Sequence, residues 1–268
     1  MRVVSYRTGD TVSWGVVVGA GVDGISTGDK VAAYVKHGGY ADRVVAPMTQ
    51  VAVLPESISS TAAAAFPVSY ASAELAFERA SLAAGEVVLI GGAGGAIGTA
   101  CIELARQRDA TVIACVGDRE KEELVRACGA HRVVSSHSRN LGQDLQAVAP
   151  DGIDVIIDPV GGNFFEDSLR TLRFGGRVVV LGFASGKISS LRLNHLLVKH
   201  QSILGSSFGL SCIRQPAAVA ARWPKLVALL EQGRVKPRVG RTLPFTELPK
   251  ALNLLKERRV AGRIVLSG

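Results

Sequence analysis

One stretch of this chain offers chemistry through its backbone rather than through a reactive side chain. From Val87 to Gly98 it reads Val-Val-Leu-Ile-Gly-Gly-Ala-Gly-Gly-Ala-Ile-Gly. A short apolar run of this kind makes a buried parallel strand, and the glycine cluster leads into the amphipathic pattern Ile97 to Ala105, a helix. A glycine turn at a helix N-terminus presents N–H groups, adds the positive end of the helix dipole, and has no Cβ to hold off a pyrophosphate. The spacing is Gly92-x-x-Gly95-x-x-Gly98, not the strict G-x-G-x-x-G of dinucleotide sites. These residues alone therefore also admit an ordinary glycine-rich βα turn.

Other chemistries find little support. No catalytic dyad or triad is apparent among its Ser, His and Asp residues, so no serine nucleophile is indicated. Cys101, Cys115, Cys128 and Cys212 are scattered without a C-x-x-C, which suits small buried hydrophobes in a reducing compartment. The histidines at 37, 131, 137, 195 and 200 show no metal-ligand pairing, so no metal site is expected.

The elements that position the glycine turn follow from periodicity. Further short strands are expected at 110–115, 132–134, 153–157, 177–181 and 202–205, with helical stretches between most of them. A helix over Glu120–Cys128 ends at Gly129, a plausible left-handed cap. Six strands in βαβ alternation predict a doubly wound parallel sheet. Residues 1–66 are instead β-rich and punctuated by glycine, as in Gly15–Val18, Gly28–Ala33 and Tyr40–Ala46, which suggests a barrel-like unit. A helix over 59–80 is expected to break near Pro67. After Phe208 come helices at Trp223–Gln232 and Glu247–Arg258 and a final strand, Gly262–Ser267.

Composition excludes more than it selects. Of 268 residues, 47% are hydrophobic, enough for a sizeable core, yet no apolar stretch is as long as a membrane span. The first ten residues lack the apolar core of a secretory signal, and a cytoplasmic protein is expected. The net charge of +8 raises the question of nucleic acid, but the basic residues are dispersed and aromatics reach only 5%, so nucleic acid is not the expected partner.

Taken together, several motifs resemble those of the medium-chain dehydrogenase/reductase superfamily. They are Val18-Gly-Ala-Gly-Val22, Gly28-Asp-Lys-Val31, Gly38-Gly-Tyr-Ala41, the Gly92–Gly98 turn, Asp154-Val-Ile-Ile-Asp-Pro-Val-Gly-Gly162, Gly176–Phe183 and Ala261–Leu266. The chain looks most similar to the zinc-independent NADPH:quinone oxidoreductase branch. The resemblance implies a six-stranded Rossmann sheet at 67–207 and a GroES-like barrel over 1–66. Residues 208–268 would return to that barrel. Only 17 residues precede Val18, so the barrel is expected to be partial. The implied function is NADPH-dependent hydride transfer to quinones or other α,β-unsaturated carbonyls. An enoyl or alkenal reductase, or a catalytically weak NADPH-binding protein serving as a sensor or in association with RNA, stays open.

The resemblance also implies roles for particular residues. Gly94, Gly95, Ala96 and Ile97 meet the pyrophosphate, whereas Gly98 serves helix–strand packing. Val116 stands where an NAD site would carry a carboxylate. Gly117 makes room, and Arg119 and Lys121 supply charge for a 2′-phosphate, unless they pair with Asp118 and Glu120. Ser72 matches a family Thr at the nicotinamide end, or bonds back along its helix. Ser136 replaces a family Tyr that flanks the phosphate. Val160, Phe183 and Phe208 follow the fourth, fifth and sixth strands, where Phe183 and Phe208 would wall the nicotinamide. Arg263 matches a basic residue that approaches the cofactor, or is a surface strand residue. Tyr40 is the one candidate proton donor, although its motif also suits a structural role. The strand Ser202–Ser207 lacks a Lys or Pro guard, and a homodimer through that edge is expected.

Overall fold

Val and Ile fit a pleated surface buried on both faces, and the central strands of this protein are written almost entirely in them. A computed structural model describes residues 6–8, 11–13, 25–26, 28–41 and 43–267. The Gly15–Val18 and Val18–Val22 motifs lie outside the described residues. The first part of the chain runs β1 (Tyr6–Thr8), β2 (Thr11–Ser13), β3 (Val31–Ala33), β4 (Val51–Val53) and α1 (Ser60–Ala80). Next come β5 (Val87–Ile90), α2 (Ala96–Arg106), β6 (Thr111–Val116), α3 (Arg119–Ala127), β7 (Arg132–Ser135), α4 (Leu141–Val148), β8 (Ile153–Asp158), α5 (Asn163–Leu169), β9 (Leu172–Val180), α6 (Asn194–Lys199) and β10 (Ser202–Gly205). Last are α7 (Phe208–Arg214), α8 (Pro216–Ala220), α9 (Trp223–Glu231), β11 (Val239–Pro244), α10 (Leu248–Lys256) and β12 (Arg263–Ser267). Two compact units result: Met1–Ala71 with Phe208–Gly268, and Ser72–Ser207.

The second unit carries one six-stranded sheet in the order β10-β9-β8-β5-β6-β7, and every pair is parallel. This is a doubly wound, Rossmann-type sheet. The chain builds outward from β5 to β7, then crosses back to start β8 on the other side of β5. The topological switch point therefore lies between β5 and β8, where such sheets bind ligands at their carboxyl ends. Leu89, Ile113, Ile153 and Ile156 are fully buried, and the helices pack on these strands with Leu145, Phe165 and Leu169. Asp154 ties the start of the sheet together. Its Oδ2 accepts from Val87 N–H at 2.8 Å and its Oδ1 from Arg173 at 2.7 Å.

A second tie holds the end of α1. The Arg177 guanidinium donates to both oxygens of Glu86 at 2.7 Å, and to the carbonyls of Ala80 at 2.6 Å and Ser81 at 3.0 Å. Burial pushes the Glu86 carboxyl up, but the hydrogen bonds from Arg177 and Ala83 and the charges of Arg177 and Arg173 outweigh it and hold it below its usual value.

The first unit carries small sheets. β1 and β2 are antiparallel, β3 and β4 are antiparallel, and β11 and β12 are parallel. Ile25, Val31, Ala46 and Val51 form a small core that includes residues of β3 and β4. Two expectations need correcting. The helix does not break near Pro67: α1 runs without interruption from Ser60 to Ala80. An interior proline costs about 3 kcal/mol. Here Phe66 and Tyr70, fully buried and stacked at 5.2 Å, flank it and offset that cost. The fifth strand of the sheet also begins earlier than expected, at Leu172, because Ile153 pairs with Leu172 before the register shifts. Among the described residues, no helix is long and apolar enough to cross a membrane.

Candidate cofactor site

The glycine turn is clamped at the switch point by its own backbone. Gly91 N–H donates to Ile157 of β8 at 3.0 Å, and Ala93 N–H to Cys115 of β6 at 3.0 Å. Gly92 adopts φ +56°, the left-handed region that favours glycine. The cap of α2 is Gly95, which has no side chain to accept from the helix's first N–H groups. Those donors stay available for an anion, and the helix dipole reinforces them.

Two glycines of the turn do different work. A Cβ on Gly98 would lie 2.5–2.6 Å from the backbone of Ala93, so Gly98 lets α2 pack against the turn. A Cβ on Gly94 would meet only the Lys121 side chain, at 2.7–2.8 Å. Lys121 thus lies along the turn, and its Nζ reaches Asp118 Oδ2 at 2.7 Å. Asp118 caps α3, accepting from Lys121 N–H, and Lys121's hydrogen bond holds its carboxyl below the usual range. Arg119 is exposed and faces Glu123 at 3.8 Å. Of the two candidate bases, the geometry brings Lys121 to the turn and leaves Arg119 on the helix surface.

Gly117 follows the end of β6. Val116 precedes it, buried and apolar, so no carboxylate stands at the end of β6. A Cβ on Gly117 would lie 3.1 Å from His137 Nε2 and 3.4 Å from Ser136 Oγ. Ser136 therefore does border this position. Its neighbour His137, just past β7, borders it more closely, and sequence reasoning missed it. The signal was only a Ser-Ser-His string with no motif. Val160 reaches the turn from the other side, 3.3 Å from a Cβ on Gly92. The loop carrying it is shaped by Asp158, whose Oδ1 accepts from Val160 and Gly161 N–H, both at 2.8 Å. Burial pushes the Asp158 carboxyl up, against those hydrogen bonds. Phe183 lies beside this loop, its ring 3.0 Å from a Cβ on Gly161, and stays 46% exposed. Ser72 is buried in α1.

Three candidates belong to the first unit. Phe208 is buried, its ring tilted against Tyr34 at 5.1 Å and edge-on to Trp223 at 6.3 Å. It serves a packed aromatic cluster as well as any ligand. Arg263 opens β12. One Nη donates to Ser69 Oγ of α1 at 2.7 Å, while its buried Nε has no hydrogen-bond partner. Burial pushes the Arg263 guanidinium down from its usual value. A buried guanidinium with an unsatisfied donor suits an anionic ligand. Tyr40 is 65% exposed.

A parallel sheet with an open-ended glycine turn at its switch point is the arrangement on which doubly wound proteins hold dinucleotides. Comparison with known proteins supplies the family. Residues 96–232 match the family described as zinc-binding dehydrogenase. The chain is 33% identical to quinone oxidoreductase-like protein 2 of Bos taurus over 93% of its own length and 72% of that protein's. The Rattus norvegicus counterpart is 35% identical over 94% and 74%. Among solved structures, an NAD-dependent alcohol dehydrogenase matches with a TM-score of 0.85 and 28% identity, covering 98% of this chain and 83% of that one. The quinone oxidoreductase of Thermus thermophilus, solved also with NADPH, matches with a TM-score of 0.76 and 33% identity, covering 90% and 77%. This chain belongs to the medium-chain dehydrogenase/reductase superfamily, in its quinone oxidoreductase-like branch, and is an oxidoreductase.

Proposed function

We propose that the protein is an NADPH-dependent reductase of quinones or other α,β-unsaturated carbonyls that works without zinc. The observation that carries the cofactor reading is the pair Val116–Gly117. The end of β6 bears no carboxylate to receive a ribose hydroxyl or repel a 2′-phosphate, and Lys121 lies along the glycine turn at Gly94. The Thermus thermophilus relative, 33% identical, was solved with NADPH, which supports the same choice. Bound at this site, the nicotinamide supplies a hydride.

The residues of this chain then bind, orient and exclude water. Gly94, Gly95, Ala96 and Ile97 would hold the pyrophosphate on open N–H groups, with Lys121, Gly117 and Ser136 at the 2′-phosphate. Val160 and Phe183 would border the nicotinamide end, with Ser72, Phe208 and Arg263 as further cofactor contacts. Tyr40 is the candidate proton donor, and solvent can also deliver that proton, so orientation and dryness are the protein's main contribution. The first unit would be the GroES-like, substrate-side part of the family. Among the described residues, no group of three or more His, Cys, Asp or Glu side chains is placed to hold a metal ion.

We further infer a homodimer, because β10 is an edge strand of the sheet whose Ser202, Ile203 and Gly205 are exposed and unguarded by Lys or Pro. Steady-state oxidation of NADPH and NADH across a panel of quinones and enones tests the reading. The expected result is turnover with NADPH preferred. Equal use of both cofactors, or no turnover with any acceptor, overturns it.

A further inference from the structure

We propose that His137 is a specificity-determining residue of this chain, closing over the gap at Gly117 to contact the phosphate on the adenosine ribose. The inference rests on the NADPH reading above and adds the residue that reads the phosphate. Three observations support it. First, the absence of a side chain at Gly117 lets two groups that suit a phosphate come close to the end of β6: a Cβ there would stand only 3.1 Å from His137 Nε2 and 3.4 Å from Ser136 Oγ. Second, the backbone delivers His137 to that place. β6 and β7 pair Val116 with Ser135, Ser136 N–H donates to Val116 O at 2.7 Å, and His137 N–H donates to Ser135 Oγ at 3.2 Å. Third, the ammonium expected to serve the phosphate is already engaged, because Lys121 Nζ is held by Asp118 at 2.7 Å. A second donor that can carry charge meets the need for a dianion better than Lys121 alone.

Asp118, the cap of α3, lies within electrostatic reach of His137, and Lys121 partly neutralises it.

The test uses the full-length chain with 2′,5′-ADP and 5′-AMP, which differ by the phosphate in question. Calorimetric affinities would be measured at pH 6 for the parent, His137→Gln and His137→Lys. The expected result is a preference for 2′,5′-ADP in the parent that falls by about ten- to a hundredfold in His137→Gln at pH 6, with 5′-AMP unchanged. His137→Lys restores the preference. A parent with no preference for 2′,5′-ADP overturns the NADPH reading itself. A parent with the preference and a His137→Gln that keeps it, or that loses both ligands equally, overturns the role of His137 alone.

Discussion

Gly98→Ala and Gly94→Ala are the same chemical change four residues apart, and the structure predicts opposite consequences. At Gly98 the added methyl would lie 2.5 Å from Ala93 Cα and 2.6 Å from its carbonyl carbon and oxygen. Carbon atoms rest about 3.5–4.0 Å apart at their optimum, so α2 must retreat from the turn by about 1 Å. Overpacking of this kind costs about 1–3 kcal/mol and backbone cannot rotate out of the way, which places the loss at the upper end. Replacing a helical glycine by alanine returns about 1 kcal/mol. The net expectation is a loss of about 2 kcal/mol, or about 4–8 °C in midpoint. At Gly94 the methyl meets only the Lys121 side chain, which can change rotamer. Stability should move by less than about 1 kcal/mol. Cofactor affinity should fall at least about tenfold, since the methyl occupies the approach of the pyrophosphate and displaces Lys121. Urea denaturation and fluorescence titration with NADPH measure the two effects separately. A Gly98→Ala protein as stable as the parent would refute the packing argument. A Gly94→Ala protein that binds NADPH normally would refute the seat of the pyrophosphate.

Other expectations follow from the same geometry. Glu86→Gln should cost about 1–3 kcal/mol at neutral pH by weakening the Arg177 clamp. Because the folded Glu86 carboxyl is held below its usual value, its contribution exists above the unfolded pKa and is lost as pH falls through the folded one. Urea midpoints of parent and variant should therefore converge on acidification, and a constant gap contradicts the assignment. Val116→Asp should shift preference toward NADH, read from paired titrations, and an unchanged ratio argues against the ribose site at β6. Ile203→Lys should lower the mass seen in light scattering from two chains to one, and a parent already monomeric removes the edge-pairing idea. Chelation should leave turnover intact, and stoichiometric zinc in elemental analysis would reverse that expectation.

The sheet is largely legible in the sequence because its signals are local. Val87–Ile90 and Ile153–Ile157 are apolar runs bounded by turn residues, and both are buried strands. The role of Gly98 is legible for a similar reason, since a glycine one turn into a helix behind a strand has few uses besides close packing. Pro67 misleads because its local preference is opposed by burial on either side, which no window of sequence records. The pairing of Lys121 with Asp118 is a local question that sequence leaves open, since a cap three residues before a lysine reads equally as a charged helix start. His137 lies beyond reading of this kind. Its place beside Gly117 depends on the pairing of Val116 with Ser135 across two strands, and a slip of one residue would point the imidazole elsewhere. The pyrophosphate end of the candidate site is built within one βα turn and shows in the sequence. At the end of β6 the sequence points to Val116 and Gly117, but the approach of His137 to Gly117 depends on register between β6 and β7 and shows only in the folded chain.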